Sequence, residues 1–197
     1  MIKAIIFDGG GVIVNHKPLM GKFIKIFKPK NKEKFLHDLN IQVIPLCKGK
    51  ISEKEFWTRT SNSYGIEPNK IPKNLWTKDY GKLNKINKNV LGIIRNLRKN
   101  YRLGFISNTI KPHEQINRKR GLFGFFDVVL LSHKLGLTKD DKKIFLIAAK
   151  RLKVKPYECV FIDDIKDFVD VAESTGMKGI HFQNAERLKF DLDNILN

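Results

Sequence analysis

Asp8 is the residue whose type and position most directly indicate chemistry. It closes the apolar run of residues 2–7 and is followed by Gly9, Gly10 and Gly11. A short apolar run closed by glycines is typical of a central parallel strand, and ligands of open α/β sheets bind just outside the carboxyl ends of such strands. Glycines carry no Cβ, so they let the backbone approach a ligand closely. We therefore expect Asp8 to face a pocket; a structural Asp that caps a turn is the alternative.

Three further apolar segments end in polar groups that could join Asp8. They are residues 103–106, which end in Ser107 and Asn108; residues 128–131, which end in Ser132; and residues 160–162, which end in Asp163 and Asp164. Helical patterns of crossover length separate the later segments, so the chain from residue 90 onward predicts right-handed parallel βαβ units. Because parallel strands end at one edge of a sheet, we expect these polar groups to collect there.

The long interval between the first two predicted strands indicates a second structural unit. Residues 15–85 are too many for one strand-to-strand crossover, so something must fold there. We expect a doubly wound parallel α/β core formed by residues 1–14 and 86–197, and a small α-helical cap domain over residues 15–85. An insertion at this point overhangs the strand ends, where it is placed to act as a lid.

Local signals within the insertion support helices. Apolar spacing predicts two of them, over residues 18–27 and 34–39. Ser52 and Glu55 form a capping box in which each satisfies a free backbone amide, and the apolar residues Phe56 and Trp57 follow as anchors.

The composition predicts a globular chain with a strongly basic surface. Of its 197 residues 42% are hydrophobic, and the formal net charge is +18 at pH 7. Only eight of the 38 basic residues are Arg, and no Arg-rich arm, zinc finger or aromatic RNA-binding signature is present. This pattern argues against specific nucleic-acid binding. The positive field would still attract anionic substrates.

Other features of the sequence bear on the cellular location and on metal or disulfide sites. No stretch approaches the roughly 20 apolar residues that cross a bilayer, and Met1 leads directly into the first strand, which leaves no room for a signal peptide. We therefore expect no membrane partner and a cytoplasmic location. Cys47 and Cys159 predict neither a disulfide nor a zinc site. The histidines show no metal-ligand spacing and are expected to be structural or at the surface: His16, His37, His113, His133 and His181.

Four segments, taken in order, resemble the motifs of the haloacid dehalogenase superfamily. They are Ile-Ile-Phe-Asp-Gly-Gly-Gly-Val at 5–12, Ile-Ser-Asn at 106–108, Gly-Leu-Thr-Lys-Asp-Asp at 136–141 and Val-Phe-Ile-Asp-Asp at 160–164. Residues 46–57 also resemble the helical cap that phosphatase-like members insert after the first motif. The resemblance implies a Rossmann-like core and a Mg²⁺-dependent hydrolase of a small phosphorylated metabolite.

The resemblance also implies roles for individual residues. Asp8 matches the nucleophile, which forms an aspartyl-phosphate. Ser107 and Lys139 match the groups that bind phosphoryl oxygens and neutralise developing charge. Asn108 and the glycines at 9–11 complete the phosphate-binding set. The structural alternatives are that Ser107 and Asn108 cap a turn, and that Lys139 is one more solvated lysine.

A metal site is implied beside the nucleophile. Asp163 matches the magnesium ligand, with Asp164 beside it; which of the two ligates stays open, as does the alternative that both cap the next helix. Asp8 and the backbone carbonyl of Gly10 complete the implied ligands. Asp167 matches an acidic position that orients the lysine or a metal-bound water.

One position departs from the phosphatase pattern. Most phosphatase members carry a second Asp two residues after the nucleophile as general acid and base, and here that position is Gly10. General acid–base catalysis contributes roughly 10²- to 10⁴-fold in rate. Three functions therefore stay open: a phosphatase or phosphotransferase, a catalytically weak phosphate-binding or regulatory member, and a 2-haloacid dehalogenase in which Asp8 attacks carbon without a metal.

Overall fold

The computed structural model describes residues 1–72 and 75–196, and a parallel sheet of five strands forms its centre. The sheet order is β3-β2-β1-β4-β5. The strands are β1 (Ala4–Asp8), β2 (Arg102–Ser107), β3 (Val128–Leu131), β4 (Cys159–Asp163) and β5 (Lys178–His181). Strand order reverses on either side of β1, so β1 lies at the topological switch point where ligands of such sheets bind. The predicted doubly wound parallel sheet is confirmed.

The central strands are buried on both faces because their side chains alternate between two apolar layers. All five residues of β1 and of β4 are buried. Ile5 and Phe7 pack into one hydrophobic cluster, whereas Ala4 and Ile6 pack into the other on the opposite face. The period of two along a strand produces this alternation. An unbroken apolar run was therefore the correct signal for a central strand.

Of the six α-helices described between β1 and β2, five lie within residues 15–85. They are α1 (Lys17–Phe27), α2 (Lys32–Gln42), α3 (Ile44–Cys47), α4 (Glu53–Ser63) and α5 (Leu75–Leu83). The helices predicted over 18–27 and 34–39 correspond to α1 and α2. Half of the predicted capping box forms: Oγ of Ser52 accepts from the backbone amide of Glu55 at 3.1 Å. The carboxylate of Glu55 instead accepts from Arg59 one turn later, because a guanidinium is the stronger donor.

Six helices accompany the later strands. They are α6 (Lys88–Leu97), α7 (Lys111–Lys119), α8 (Ser132–Leu135), α9 (Lys142–Arg151), α10 (Lys166–Glu173) and α11 (Ala185–Leu196). Asn87 caps α6 and Asp141 caps α9 through their side-chain oxygens. Within the described residues, no helix has the length and apolar character needed to span a membrane.

An aromatic cluster holds the helices of residues 15–85, which we call the cap segment. The ring of Trp57 lies 4.9 Å from that of Phe23 and 4.7 Å from that of Phe56, and Trp76 lies 5.6 Å from Phe23. These contacts join α1, α4 and α5. The apolar anchors expected at Phe56 and Trp57 are thus both part of a core.

The chain enters and leaves the cap segment at adjacent points. Val14 and Ile86 form an antiparallel bridge, and the amide of Asn15 donates to the carbonyl of Lys85 at 2.9 Å. These contacts lie at the predicted boundaries 14/15 and 85/86. That the cap segment is a separate domain stays a prediction.

Candidate active site

The strand ends bring together the charged residues of the first, third and fourth motifs. Asp8 ends β1 and Asp163 ends the neighbouring β4, while Lys139 lies in the loop before α9. The ammonium of Lys139 lies 2.5 Å from Oδ1 of Asp8 and 2.5 Å from Oδ2 of Asp163. Its side chain is only 3% exposed. Lys139 is therefore a buried member of the cluster rather than a solvated lysine.

Burial makes this cluster electrostatically unusual. It raises the pKa of Asp8 to about 6 and that of Asp163 to about 7, although Lys139 opposes both shifts. Burial also raises the pKa of Asp164 to about 6, with the neighbouring Asp163 as a further cause. Conversely, burial disfavours the charged form of Lys139, but the carboxylates of Asp163 and Asp8 outweigh it and raise its pKa. One ammonium thus faces three carboxylates, so negative charge is in excess.

The excess negative charge has the geometry of a cation site. Asp8, Asp163 and Asp164 each offer an oxygen within 4.8 Å of the others. Oδ2 of Asp8 is buried and has no hydrogen-bond partner among the described residues. Carboxylate oxygens are the ligands that Mg²⁺ prefers. The donor set and the free buried oxygen therefore fit the metal that the resemblance implies.

Gly11 makes room for the outermost of these carboxylates. Its φ of +96° is one that L side chains rarely adopt, and a Cβ at this position would lie 2.0 Å from Oδ2 of Asp164. Gly11 thus contributes to the cluster by having no side chain. Asp163 is held differently, since its Oδ1 accepts from the amide of Ile165 at 2.9 Å while its Oδ2 binds Lys139.

The second motif lies beside Asp8. A Cβ on Gly9 would lie 3.0 Å from Oγ of Ser107 and 2.7 Å from the ring of Phe105, so the glycine permits this close approach. Oδ1 of Asn108 accepts from the backbone amide of Lys139 at 3.0 Å. Asn108 therefore positions the loop that carries the lysine, a contact that the sequence did not predict.

A cavity of about 160 Å³ opens above the strand ends. Asp8, Gly9, Gly10, Ser107, Asn108, Lys139 and Asp164 line its core side. The cap segment supplies apolar and aromatic residues from four helices: Leu19, Met20 and Phe23 of α1, Leu39 of α2, Cys47 of α3, and Trp76 and Tyr80 of α5. A group held at Asp8 would therefore lie beside residues of the cap segment. That this segment acts as a lid stays a prediction.

Two histidines expected to be structural or at the surface instead line this cavity. Burial lowers the pKa of His16, and the positive charges of Lys17 and Lys139 lower it further. Burial lowers the pKa of His113 to about 3, and its ring stacks on that of Tyr80 with centroids 3.8 Å apart. No motif or spacing in the sequence marks either residue, because the packing of helices around the cavity brings them there.

The structure also corrects the expectation for Asp167. Its side chain is exposed in the first turn of α10, so it does not orient Lys139. The next residue does: the ring of Phe168 lies 4.7 Å from the ammonium of Lys139. Successive helical residues point about 100° apart, and α10 turns Phe168, not Asp167, towards the site. A cation over an aromatic face is stabilised by the ring quadrupole.

Comparisons with known proteins identify the family of this chain. Residues 2–171 match the family model for haloacid dehalogenase-like hydrolases. The chain is 30% identical over 210 residues to the D-ribitol-5-phosphate phosphatase of Bacteroides thetaiotaomicron, covering 100% of both proteins. It is 33% identical over 105 residues to the glyceraldehyde 3-phosphate phosphatase of Pyrococcus furiosus, covering 51% of this chain and 43% of that protein.

Solved structures show the same fold. An HAD-like family hydrolase of Porphyromonas gingivalis superposes with a TM-score of 0.76 at 29% identity, covering 100% of this chain and 98% of that one. An HAD family enzyme of Bacteroides thetaiotaomicron, crystallised with magnesium and inorganic phosphate, superposes with a TM-score of 0.69 at 23% identity, covering 95% and 99%. The family match spans most of the chain, and the first relative matches it from end to end. The chain therefore belongs to the haloacid dehalogenase-like hydrolases.

Proposed function

We propose that this chain is a Mg²⁺-dependent phosphatase or phosphotransferase that acts on a small phosphorylated metabolite through an aspartyl-phosphate at Asp8. One observation carries the proposal: Lys139 joins the carboxylates of Asp8 and Asp163 at the floor of a covered cavity. A nucleophile, a cation and an acidic cluster at one sheet edge are what phosphoryl transfer requires.

The relatives support this class of substrate. The relative that covers the full chain is named for D-ribitol 5-phosphate and the partial one for glyceraldehyde 3-phosphate. Both are small phosphate esters, and the cavity of about 160 Å³ is of a size for small molecules only. The positive net charge of the chain favours the approach of such anions.

We propose that Asp8, Asp163 and Asp164 hold the metal together with the backbone carbonyl of Gly10. The support is the mutual proximity of the three carboxylates and the unpartnered Oδ2 of Asp8. A bound Mg²⁺ supplies positive charge that neutralises the phosphoryl group and stabilises its transition state. The structural relative that contains magnesium and phosphate has the same fold.

Each residue of the site has its own role in the proposed reaction. An oxygen of Asp8 attacks phosphorus, the bond from phosphorus to the ester oxygen breaks, and that oxygen leaves with the electron pair and takes up a proton. Water next attacks the phosphorus of the aspartyl-phosphate, which releases inorganic phosphate and restores the Asp8 carboxylate. Lys139 restrains Asp8 and neutralises charge, while Ser107 and Asn108 bind phosphoryl oxygens.

Gly10 affects which phosphate esters this chain should hydrolyse best. Since no carboxylate stands at position 10, the usual donor of a proton to the leaving oxygen is missing. Esters with acidic leaving groups should therefore react best. The same observation favours a second candidate function, a phosphate-binding member that turns over slowly.

A panel of phosphorylated metabolites and 2-haloacids, assayed with and without Mg²⁺, tests the proposal. We expect Mg²⁺-dependent release of phosphate that Asp8→Asn abolishes. Halide release that a chelator leaves unchanged would identify a dehalogenase. Tight phosphate binding without turnover across the panel would favour the binding member.

A further inference from the structure

We propose that Asn84, His113 and Asn117 recognise hydroxyl groups on the leaving group, so that among alkyl phosphate esters those of polyols or sugars are preferred. This inference rests on the proposed phosphatase function of the same cavity. It adds the chemical class of the substrate and the residues that select it.

The three residues share an unusual state. All line the cavity, and they are only 1%, 5% and 5% exposed, respectively. Each has a buried atom without a hydrogen-bond partner among the residues that the structure describes: Oδ1 of Asn84, Nε2 of His113 and Oδ1 of Asn117. Buried polar groups are nearly always paired, because an unpaired one costs free energy. Three together beside a ligand cavity indicate that a ligand provides the partners.

All three free atoms are hydrogen-bond acceptors. Nδ2 of Asn117 donates to the hydroxyl of Tyr80 at 2.9 Å, which leaves its carbonyl oxygen free. His113 is neutral because burial lowers its pKa to about 3. One ring nitrogen of a neutral imidazole is an acceptor, and we assign that role to Nε2, which is buried without a partner among the described residues. An amide oxygen, as in Asn84, can only accept.

Tyr80 and Arg120 hold these acceptors in place at the junction of α5 and α7. The stacked rings of Tyr80 and His113 are 3.8 Å apart and inclined by only 11°. The guanidinium of Arg120 donates to the backbone carbonyl of Asn84 at 3.0 Å and lies 5.9 Å from the centre of the Tyr80 ring. The acceptor set is thus preorganised, which lowers the entropy cost of binding.

Three free hydrogen-bond acceptors favour a ligand that offers several hydrogen-bond donors. A second phosphate or a carboxylate offers only acceptors and would leave all three atoms unpaired. An ammonium group would donate, but Arg120, whose guanidinium lies at the junction against Asn84 and Tyr80, would repel it. Neutral hydroxyl groups satisfy the acceptors without that repulsion. Sites built to bind a hydroxyl reject analogues that lack it far more strongly than apolar pockets discriminate by size.

The first test uses the wild-type protein, so it does not depend on the folding of a variant. We expect kcat/KM for a pentitol 5-phosphate to exceed that for its monodeoxy analogues about tenfold or more at the recognised positions. It should also exceed that for phosphoethanolamine. Equal rates for the pentitol ester and every deoxy analogue, or preference for the aminoalkyl ester, would overturn the inference.

The second test uses variants that remove single acceptors. His113→Phe keeps a ring to stack on Tyr80 but lacks Nε2, and Asn84→Leu keeps similar volume but lacks the amide. Each should reduce kcat/KM for the pentitol ester about tenfold more than for p-nitrophenyl phosphate, mainly through KM, and reduce the penalty of a deoxy substrate. Asn96→Leu, on the exposed side of α6, should change neither ratio. Equal losses on both substrates would show a merely structural role.

A binding measurement separates this inference from the proposed function. Calorimetric titration of Asp8→Asn with the pentitol ester should give a Kd that His113→Phe, added to it, raises about tenfold. If wild type hydrolyses p-nitrophenyl phosphate but the Kd is unchanged, the inference fails and the function stands. If no ester is hydrolysed but the Kd responds as expected, the function fails while hydroxyl recognition stands.

Discussion

The ammonium of Lys139 lies 2.5 Å from Oδ1 of Asp8, although 131 positions separate the two residues in the chain. The same ammonium binds Asp163 of the neighbouring strand at 2.5 Å. All three side chains are almost fully buried. Two buried carboxylates therefore depend on one cation, and the integrity of the site is tied to the stability of the fold.

We expect Lys139→Met to be strongly destabilised. Removing one partner of a buried ion pair costs roughly 3–5 kcal/mol, because the remaining charges are left unpaired. The loss should be smaller at pH 5 than at pH 8, since protonation neutralises Asp8 and Asp163, whose pKa values burial raises to about 6 and about 7. Urea unfolding at both pH values measures it. Lys142→Met, at an exposed position, is the control, and equal stability of the two variants at pH 8 would contradict the expectation.

Mg²⁺ alone should stabilise the protein. A divalent cation relieves the repulsion among Asp8, Asp163 and Asp164, and a ligand at 100 times its Kd contributes about 2.7 kcal/mol. The melting temperature should therefore rise with Mg²⁺ at constant ionic strength. Asp163→Asn should remove the response. A melting temperature that stays constant up to roughly 10 mM Mg²⁺ would argue against the metal site.

Gly10→Asp should accelerate hydrolysis of esters with poor leaving groups. A carboxyl group there, in its protonated form, can donate a proton to the leaving oxygen, which contributes roughly 10²-fold or more for alkyl phosphates and little for p-nitrophenyl phosphate. The position has space: a Cβ on Gly10 meets its nearest neighbour, Nδ1 of His16, at 3.7 Å, and its φ is not positive.

The matched control for this substitution is Gly10→Asn, which has the same shape but no carboxyl proton. Circular dichroism should show that both variants fold. If Gly10→Asp gains no more than Gly10→Asn on alkyl phosphates, the missing carboxylate does not limit the rate. A residue of the cavity wall would then be responsible for proton transfer.

Glu114 should make stability depend on pH between 4.5 and 2. Burial opposes its ionisation, but hydrogen bonds from Arg118, Lys134 and His133 outweigh burial and lower its pKa from 4.5 to about 2. A depressed folded-state pKa stabilises the fold above pH 4.5, and this contribution is lost as the pH falls towards 2.

Glu114→Gln should therefore lower the free energy of unfolding by about 2 kcal/mol at pH 7 and by less at pH 3. Chemical unfolding at the two pH values tests this. Glu67→Gln, at an exposed ion pair, should have little effect at either pH. A cost of Glu114→Gln that is the same at both values would show that shape rather than charge is responsible.

The sequence predicted the core of the site because its signals are local. Asp8, Ser107 and Asp163 each end an apolar segment, and parallel strands must bring such ends to one edge. Lys139 needed the family resemblance, since nothing in its neighbourhood distinguishes it from a solvated lysine. Asp167 does not reach Lys139, because packing determines which side of α10 faces the site. That Asp167 orients a metal-bound water stays a prediction.

The cavity wall could not be predicted for a different reason. His113 and Asn117 lie on α7, and Tyr80 and Asn84 lie in or after α5. Their juxtaposition depends on how two helices distant in sequence pack together, which no period in either helix encodes. Buried polar residues of this kind can be identified only from a structure, which shows whether their polar atoms have hydrogen-bond partners.

The bridge between Val14 and Ile86 has a consequence for how such a protein can diverge. Because the chain leaves the sheet layer and returns to it at neighbouring positions, residues 15–85 can change in length or sequence without altering the register of β1 against β2. About half of the residues that line the cavity belong to that replaceable segment, whereas the strand ends and His113 and Asn117 on α7 lie outside it. Evolution can therefore change the substrate specificity by altering the cap segment, while α7 and the reacting carboxylates keep their positions beside the sheet.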